Sequence, residues 1–216
     1  SRGLGDVYKR QRKRLQYLYY DKENQMVLMT RTDVTDIYLE QKRQNKLLQR
    51  ALMQAQTDPL TGLYNQAVKE MIAERLEGED GIAAVLFMDL DNFKVINDTL
   101  GHIKGDLLLQ EVAGVLKKTL RASDLSGRVG GDEFIALLHP VSSPAGVRQC
   151  VQRICSSVHS VMDRDFNDFS VTCSIGISMY PADGNDIAAL VEKADKAAYA
   201  VKRKGKNGFA FYSDLL

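Results

Sequence analysis

The sequence predicts an α+β fold, in which helices flank a mainly antiparallel central sheet. Residues 82–88 form a near-continuous apolar run with the length and composition of a buried strand. Residues 128–138 indicate a hairpin that turns at a Gly-Gly pair. Between these strands, residues 106–120 carry apolar side chains at helical spacing. Strands and helices that alternate in this way are typical of a sheet covered by helices.

The other elements are predicted in chain order from the same signals. Two strand-like runs, 15–20 and 25–30, flank the turn residues Asp21-Lys22-Glu23-Asn24, which favours a hairpin. Asp33-Val34-Thr35-Asp36 supplies N-cap side chains for a helix that runs to Gln56. Further helices are predicted over 66–76, 93–100, 147–162 and 187–203, and further strands over 170–179 and 209–212.

These elements suggest three segments, 1–36, 37–56 and 57–216. An isolated hairpin is marginally stable in water, so we expect segment 1–36 to be the end of a larger domain. Segment 37–56 is a connector helix. Only four of its six heptad core positions are apolar, so a two-stranded coil and a solvated single helix both remain open. Segment 57–216 has enough elements for a complete domain.

The composition gives no sign of nucleic-acid binding or of a membrane segment. Lys and Arg total 29 against 28 Asp and Glu, and the basic run 9–14 lacks interleaved aromatic residues. No apolar run approaches the roughly 18 residues that a spanning helix needs. Because the chain starts at Ser1, we expect a fragment of a longer protein that could be anchored upstream. The three cysteines have no metal-ligand spacing, which favours reduced thiols in the cytoplasm.

Acidic residues gather where two predicted strands end. Asp89 and Asp91 close the buried run, and Asp132-Glu133 follow the Gly-Gly turn. Burying carboxylates costs several kcal/mol unless they are paired, whereas hard divalent cations bind such oxygens well. Glycines without Cβ atoms let a backbone approach a phosphate closely. Each of these features, taken alone, could also be explained by an ordinary hairpin turn with acidic residues on the surface.

Residues 128–134, R-V-G-G-D-E-F, resemble the signature of the GGDEF family of diguanylate cyclases. The similarity covers 57–216 and includes 58–65 (D-P-L-T-G-L-Y-N), 87–94 (F-M-D-L-D-N-F-K), Asn97-Asp98, Gly101-His102, Gly105-Asp106, Ser174-Ile175-Gly176, and the stretch from Ala194-Asp195-Lys196 through Lys206-Asn207. The early hairpin followed by D-V-T-D resembles the C-terminal end of a PAS sensor domain. The resemblance implies an enzyme that condenses two GTP into cyclic di-GMP with release of two pyrophosphates, controlled by an upstream sensor.

The resemblance also implies roles for the acids. Asp89, the backbone carbonyl of Leu90 and Asp132 would hold magnesium, or manganese in its place, with help from Glu133. Asp132 is also the presumed proton acceptor for the attacking 3′-hydroxyl, either as a base or only as a metal ligand. Lys94 would stabilise charge that builds on the phosphates in the transition state.

The substrate site implied by the resemblance binds one GTP. Its residues are Phe93, Asn97, Asp106, Gly131, Lys202 and Lys206. Asn97 and Asp106 would read guanine, because a carboxylate can accept from both N1–H and the exocyclic amine. Lys202 and Lys206 would bind the triphosphate. Taken alone, Asp106 could instead be a helix N-cap and Asn97 a turn residue.

A second, inhibitory site is implied by Arg121 and Asp124, which match the family's R-x-x-D motif for bound product. Arg148 would join it from a neighbouring surface. The alternative is a helix-terminal arginine followed by a turn aspartate.

A homodimer follows from the implied chemistry, because the product is two-fold symmetric and one domain holds one GTP. The alternative function is a catalytically silent GGDEF domain that acts as a receptor for cyclic di-GMP or GTP. No G-x-x-x-x-G-K-S/T sequence occurs, which disfavours a P-loop kinase or GTPase.

Overall fold

The computed structural model describes residues 14–21, 26–78, 81–166, 169 and 171–216. The chain divides into two units, Ser1–Ala55 and Gln56–Leu216. The predicted turn residues 22–24 and the basic residues 9–13 lie outside the described residues.

The first unit contains the predicted hairpin and most of one long helix. Strand β1 (Arg14–Asp21) pairs with β2 (Met26–Asp33) in antiparallel register, with Tyr17 opposite Thr30. Helix α1 follows at Thr35–Gln56. Several of its apolar side chains are exposed, among them Ile37, Leu39, Leu47, Leu48, Leu52 and Met53.

The second unit is built on a five-stranded sheet. Its strands are β3 (Ala83–Asp91), β4 (Leu125–Arg128), β5 (Glu133–Leu138), β6 (Thr172–Tyr180) and β7 (Gly208–Phe211). They lie in the order β4-β5-β3-β6-β7. The first three pairings are antiparallel and the β6–β7 pairing is parallel. The predicted α+β fold is therefore confirmed, with a mixed sheet.

Helices cover both faces of this sheet. They are α2 (Val68–Gly78), α3 (Phe93–Leu100), α4 (His102–Thr119), α5 (Pro144–Asp165) and α6 (Ile187–Arg203), with a 3₁₀ turn at Tyr212–Leu215. One apolar core joins α3, α4 and α5 to the sheet, and the other joins α2 and α6 to its opposite face. Successive residues of β3 alternate between the two cores, Leu86 and Met88 in one and Val85 and Phe87 in the other. Two covered faces explain why β3 is continuously apolar from Ala83 to Met88.

Helices α4 and α5 begin three or four residues earlier than the sequence predicts. Helix α4 starts at His102 instead of 106, because Gly101 (φ 83°) ends α3 and directly precedes α4. Helix α5 starts at Pro144 instead of 147, because the Ser143 side chain accepts a hydrogen bond from the Gly146 amide and caps the first turn. By contrast, α3 and α6 have the predicted bounds.

Within the described part of the chain, no helix combines the length and the apolar character that a membrane crossing requires.

Candidate active site

The acidic residues come together because β3 and β5 are antiparallel neighbours. Their register places Asp89 directly opposite Glu133. Asp132 immediately precedes β5, and its carbonyl oxygen accepts a hydrogen bond from the Leu90 amide at 3.3 Å. Leu90 is buried, and its backbone carbonyl supplies the one oxygen of this residue that could bind a metal ion. The structure thus brings the four predicted metal-binding residues to one end of the two strands.

The electrostatics of this cluster reflect crowded negative charge. Burial raises the pKa of Asp89, an ion pair with Lys202 opposes that rise, and the nearby charge of Asp132 adds to it. Burial also raises the pKa of Glu133, and the charges of Asp89, Asp132 and Asp195 add to the effect. Asp195, on α6, belongs to one of the motifs of the resemblance but was given no role, because nothing in its spacing places it beside the hairpin.

Two lysines supply positive charge at the same end of the sheet. Lys202, from α6, places Nζ 2.7 Å from Oδ1 of Asp89, whose side chain is only 14% exposed. Lys206 follows α6 with a left-handed backbone (φ 66°), and its Nζ donates to Oδ1 of Asn92 at 2.7 Å. Both predicted phosphate-binding lysines therefore lie beside the end of β3.

The donors present suit a hard divalent cation. Among the described residues, no three histidine, cysteine or carboxylate side chains stand close enough together to bind a metal ion as they are. Asp89 instead forms an ion pair with Lys202. The available atoms are carboxylate oxygens and a backbone carbonyl, which are the ligands that Mg²⁺ prefers. A divalent cation also relieves the like-charge repulsion that raises the carboxylate pKa values. By its chemistry, the cluster fits a hard divalent cation such as magnesium.

Asp91 has a structural role that the sequence analysis did not assign. Its buried carboxylate accepts hydrogen bonds from the Thr172 and Ser174 hydroxyls at 2.7 and 2.9 Å. It also accepts from the Asn207 amide at 3.3 Å. Asp91 therefore ties β3 to β6 and to the loop that carries Lys206. Hydroxyl residues at alternate positions of β6 are the one sequence signal that could have indicated this role.

The Gly-Gly turn is fixed from one side and open on the other. The Arg128 side chain donates from Nε and Nη2 to the Gly131 carbonyl at 3.1 and 2.8 Å. A Cβ atom on Gly130 would lie 2.3 Å from a carboxylate oxygen of Glu133, so this glycine makes room for that side chain. A Cβ atom on Gly131 would meet nothing within 4 Å. Gly131 thus borders open space next to the acids.

The predicted guanine-reading residues lie on α3 and α4. Phe93 is buried at the start of α3, and Asn97 is half-buried one turn later. Asp106 is exposed in the second turn of α4, whose N-cap is Gly101. The alternative role of Asp106 as a helix cap is therefore wrong. Lys94 is exposed on α3, the helix that begins two residues after β3.

Arg121 and Asp124 line a separate cavity of about 830 Å³, a size typical of small-molecule sites. The Asp124 carboxylate accepts hydrogen bonds from the Arg121 amide at 2.8 Å and the His139 amide at 3.3 Å. Because α4 ends at Thr119, Arg121 is outside the helix and its side chain is exposed. Other residues that line the cavity include Lys118, Ser142, Gln149, Cys150, Gln152 and Arg153.

Arg148 lies elsewhere. Its guanidinium stands 4.8 Å from the centre of the Phe211 ring and 3.7 Å from Oδ2 of Asp214. The residues that line the cavity do not include it, whereas Arg153, one and a half turns later on α5, is among them. Arg153 could not be identified from the sequence, since no motif marks it and only the fold brings α5 beside Arg121.

Comparison with known proteins gives one consistent family. The profile of the family described as "Diguanylate cyclase, GGDEF domain" matches residues 55–208. "Diguanylate cyclase DgcP" of Pseudomonas aeruginosa is 40% identical over 181 residues, which are 79% of this chain and 24% of that protein. "Cyclic di-GMP phosphodiesterase PdeR" of Escherichia coli is 34% identical over 181 residues, 83% of this chain and 27% of that protein.

A solved structure shows the same fold. The coiled coil and GGDEF domain of DgcB from Caulobacter crescentus, crystallised in complex with c-di-GMP, is 28% identical with a TM-score of 0.68. That likeness covers 82% of this chain and 96% of the DgcB chain. Two of the most similar curated relatives are matched over only 24% of their own length, so this chain spans about a quarter of those proteins.

Proposed function

This chain belongs to the GGDEF domain family of diguanylate cyclases, and from that premise we propose that it condenses two GTP molecules into cyclic di-GMP. The observation that carries the proposal is the acid cluster at the ends of β3 and β5, with Lys202 beside Asp89. It lies next to the first residue of α3, the helix that bears Asn97. One end of the sheet therefore combines groups suited to phosphates with groups suited to guanine.

The reaction forms two phosphodiester bonds and releases two pyrophosphates. The 3′-hydroxyl oxygen of each GTP bonds to the α-phosphorus of the other, and each α–β phosphoanhydride bond breaks. Each hydroxyl gives up its proton as it attacks. Asp132, at the tip of the hairpin, is the carboxylate that we assign to accept this proton.

Several groups near the turn would stabilise the negative charge of the phosphates. Bound magnesium, held by Asp89, the Leu90 carbonyl, Asp132 and Glu133, would neutralise charge on the phosphate oxygens. The Gly131 backbone borders open space, which would let a phosphate approach it closely. Lys94, exposed on α3, contributes its ammonium to the charge that develops in transfer.

The triphosphate is held by the two lysines at the end of α6. Lys202, which pairs with Asp89 at 2.7 Å, would be available to the phosphates if a divalent cation took its place beside that carboxylate. Lys206 lies beside the end of β3 through its hydrogen bond with Asn92, the residue that follows this strand. Both act as point charges and not as bidentate donors, because an ammonium has no planar fork.

Guanine selection follows from the α3–α4 pair. The Asp106 carboxylate accepts from N1–H and the exocyclic amine, a donor pair that adenine lacks. The Asn97 amide offers both a donor and an acceptor to the same base. We therefore assign GTP as the substrate and exclude ATP.

Catalysis requires two copies of the domain. Each copy holds one GTP that is both nucleophile and electrophile, so two sites must face each other around a two-fold axis. Helix α1 precedes the domain, and its exposed leucines Leu48 and Leu52 suit pairing with a second copy. We propose that segment 1–36 is the remnant of a PAS-like sensor and that it controls this pairing in the cytoplasm, where GTP is available.

Product inhibition is assigned to the cavity beside α5. Arg121 and Asp124 lie at its wall, and Lys118 and Arg153 add positive charge for the phosphates of cyclic di-GMP. Arg148 is engaged by Phe211 and Asp214 and lies outside this cavity. Within one copy of the chain, Arg153 and not Arg148 is therefore the α5 arginine of the proposed site.

Pyrophosphate release tests the proposal directly. With Mg²⁺ present, GTP should yield pyrophosphate continuously and ATP should yield none. The same assay on Asp132→Ala controls for contaminating phosphatases. Equal release from ATP and GTP would contradict the assigned substrate.

A further inference from the structure

Gly105 lies in the first turn of α4, facing α3. A Cβ atom built on Gly105 would lie 2.0 Å from Oδ1 of Asn97 and 3.0 Å from its Cγ. It would also lie 3.2 Å from Cζ of Phe93. An approach of 2.0 Å is shorter than any van der Waals contact, so the Asn97 amide occupies the space that a side chain at 105 would need.

The backbone itself does not require a glycine at this position. Gly105 is helical and is absent from the glycines with positive φ, which include Gly101 at the preceding junction. A glycine inside a helix is unfavourable compared with alanine, because it loses more backbone freedom on folding. Gly114, on the same helix, would place its Cβ in open space. The steric demand at Gly105 therefore comes from Asn97 and Phe93.

We propose that Gly105 is a specificity-determining positioning residue, whose missing side chain allows Asn97 to lie against α4 beside Asp106. This inference rests on the proposed function, in which those two side chains read guanine. A side chain at 105 would push the Asn97 amide away from α4 and separate the two reading groups. The Phe93 ring, at 3.2 Å, would have to move by only a few tenths of an ångström, whereas the Asn97 oxygen at 2.0 Å would have to leave its position, so the effect passes mainly through Asn97.

The structural part of the test needs no activity. The Asn97 side-chain amide is assigned in a ¹H–¹⁵N spectrum by its absence from Asn97→Ala. Gly105→Ala should move this resonance, whereas the matched control Gly114→Ala should leave it in place. An unmoved resonance in Gly105→Ala would overturn the proposal. If Gly105→Ala does not fold, the double variant with Asn97→Ala should restore folding, and failure to do so would also overturn it.

The kinetic part separates positioning from general damage. Gly105→Ala should raise the KM for GTP about tenfold, which is the effect expected when one hydrogen bond to the guanine base is lost. It should also lower the preference for GTP over ITP, which lacks the exocyclic amine, with a much smaller change in kcat. In the Asn97→Ala background, Gly105→Ala should have no further effect on KM. If Gly105→Ala raised the KM just as much in the Asn97→Ala background, Gly105 would act independently of Asn97 and the proposal would be wrong. Absence of turnover in the wild type would contradict the proposed function, while the Asn97 resonance would still decide the role of Gly105.

Discussion

The guanidinium of Arg128 lies 3.4 Å from the carboxylate of Asp58, a residue 70 positions earlier in the chain. Both side chains are only 17% exposed. The Asp58 carboxylate also accepts hydrogen bonds from the Thr61 amide and hydroxyl at 2.9 and 2.6 Å. Since Arg128 also donates to the Gly131 carbonyl, the segment that opens the domain is fastened to the turn that presents Asp132.

Replacement of Asp58 by asparagine should destabilise the domain in a pH-dependent way. Burial alone would raise the pKa of Asp58, but the hydrogen bonds from Thr61 and the Arg128 charge outweigh burial and lower it. A lowered folded-state pKa contributes stability above the unfolded value, and that stability is lost as the pH falls through the folded pKa. We expect Asp58→Asn to cost about 1–2 kcal/mol at pH 7. The difference from wild type should shrink below about pH 4.

Urea unfolding at a series of pH values measures this difference. Glu74→Gln, which neutralises an exposed carboxylate on α2, is the matched control and should change little at any pH. A constant difference between wild type and Asp58→Asn down to pH 2.5 would show that the charge on Asp58 is not the stabilising feature.

Removal of either Asp89 or Asp132 should abolish turnover. Each alanine variant removes a carboxylate from the place where the phosphates and magnesium gather, and we expect a loss of at least about a hundredfold in kcat. Circular dichroism should show a folded protein in both cases, and Glu74→Ala should retain wild-type turnover. A folded Asp89→Ala variant with more than a tenth of wild-type activity would contradict the assignment of Asp89 as a metal ligand.

Replacement of Asp106 by alanine should weaken GTP binding and relax base selection. Loss of a carboxylate that accepts two hydrogen bonds should raise the KM for GTP by about ten- to a hundredfold. ITP, which lacks one of the two donors, should be affected less. Steady-state rates with both nucleotides measure the ratio. Because Asp106 is exposed inside α4 and does not cap it, thermal stability should be unchanged. A ratio equal to that of the wild type would remove Asp106 from the guanine site.

Replacement of Arg121 by alanine should release the enzyme from product inhibition. Wild-type progress curves should slow as cyclic di-GMP accumulates, and the Arg121→Ala curves should remain linear for longer. Arg148→Ala is the informative comparison, because Arg148 contacts Phe211 and Asp214 and does not line the cavity. It should retain inhibition. Calorimetry that finds equal cyclic di-GMP binding by wild type and Arg121→Ala would contradict the inhibitory site.

Much of the fold could be predicted because local signals agreed with tertiary structure. All of the apolar run at 82–88 except Ile82 lies inside β3. Helix α6 has the predicted bounds because Asp186 caps it at its N-terminus. The start of α4 was missed by four residues because His102 to Gly105 carry little apolar periodicity. There the boundary is set by the backbone of Gly101, which no apolar pattern reveals.

The motifs identified the candidate site residues but not their partners. The ion pair between Lys202 and Asp89 joins residues far apart in the chain. It exists only because α6 packs against the sheet that contains β3. The link from Asp91 to β6 depends on strand register in the same way. The position of Arg148 beside Phe211 required the β6–β7 pairing, which no local pattern specifies.

The mass of the product made from GTP tests the central claim most directly. Purified protein is incubated with GTP and Mg²⁺, and the products are separated and identified by mass spectrometry, with Asp132→Ala in parallel. We expect cyclic di-GMP from the wild type, no product from the variant, and no product when ATP replaces GTP. Linear dinucleotides or cyclic GMP as the sole product would contradict the account. So would a wild type that binds GTP or cyclic di-GMP but makes no product at all.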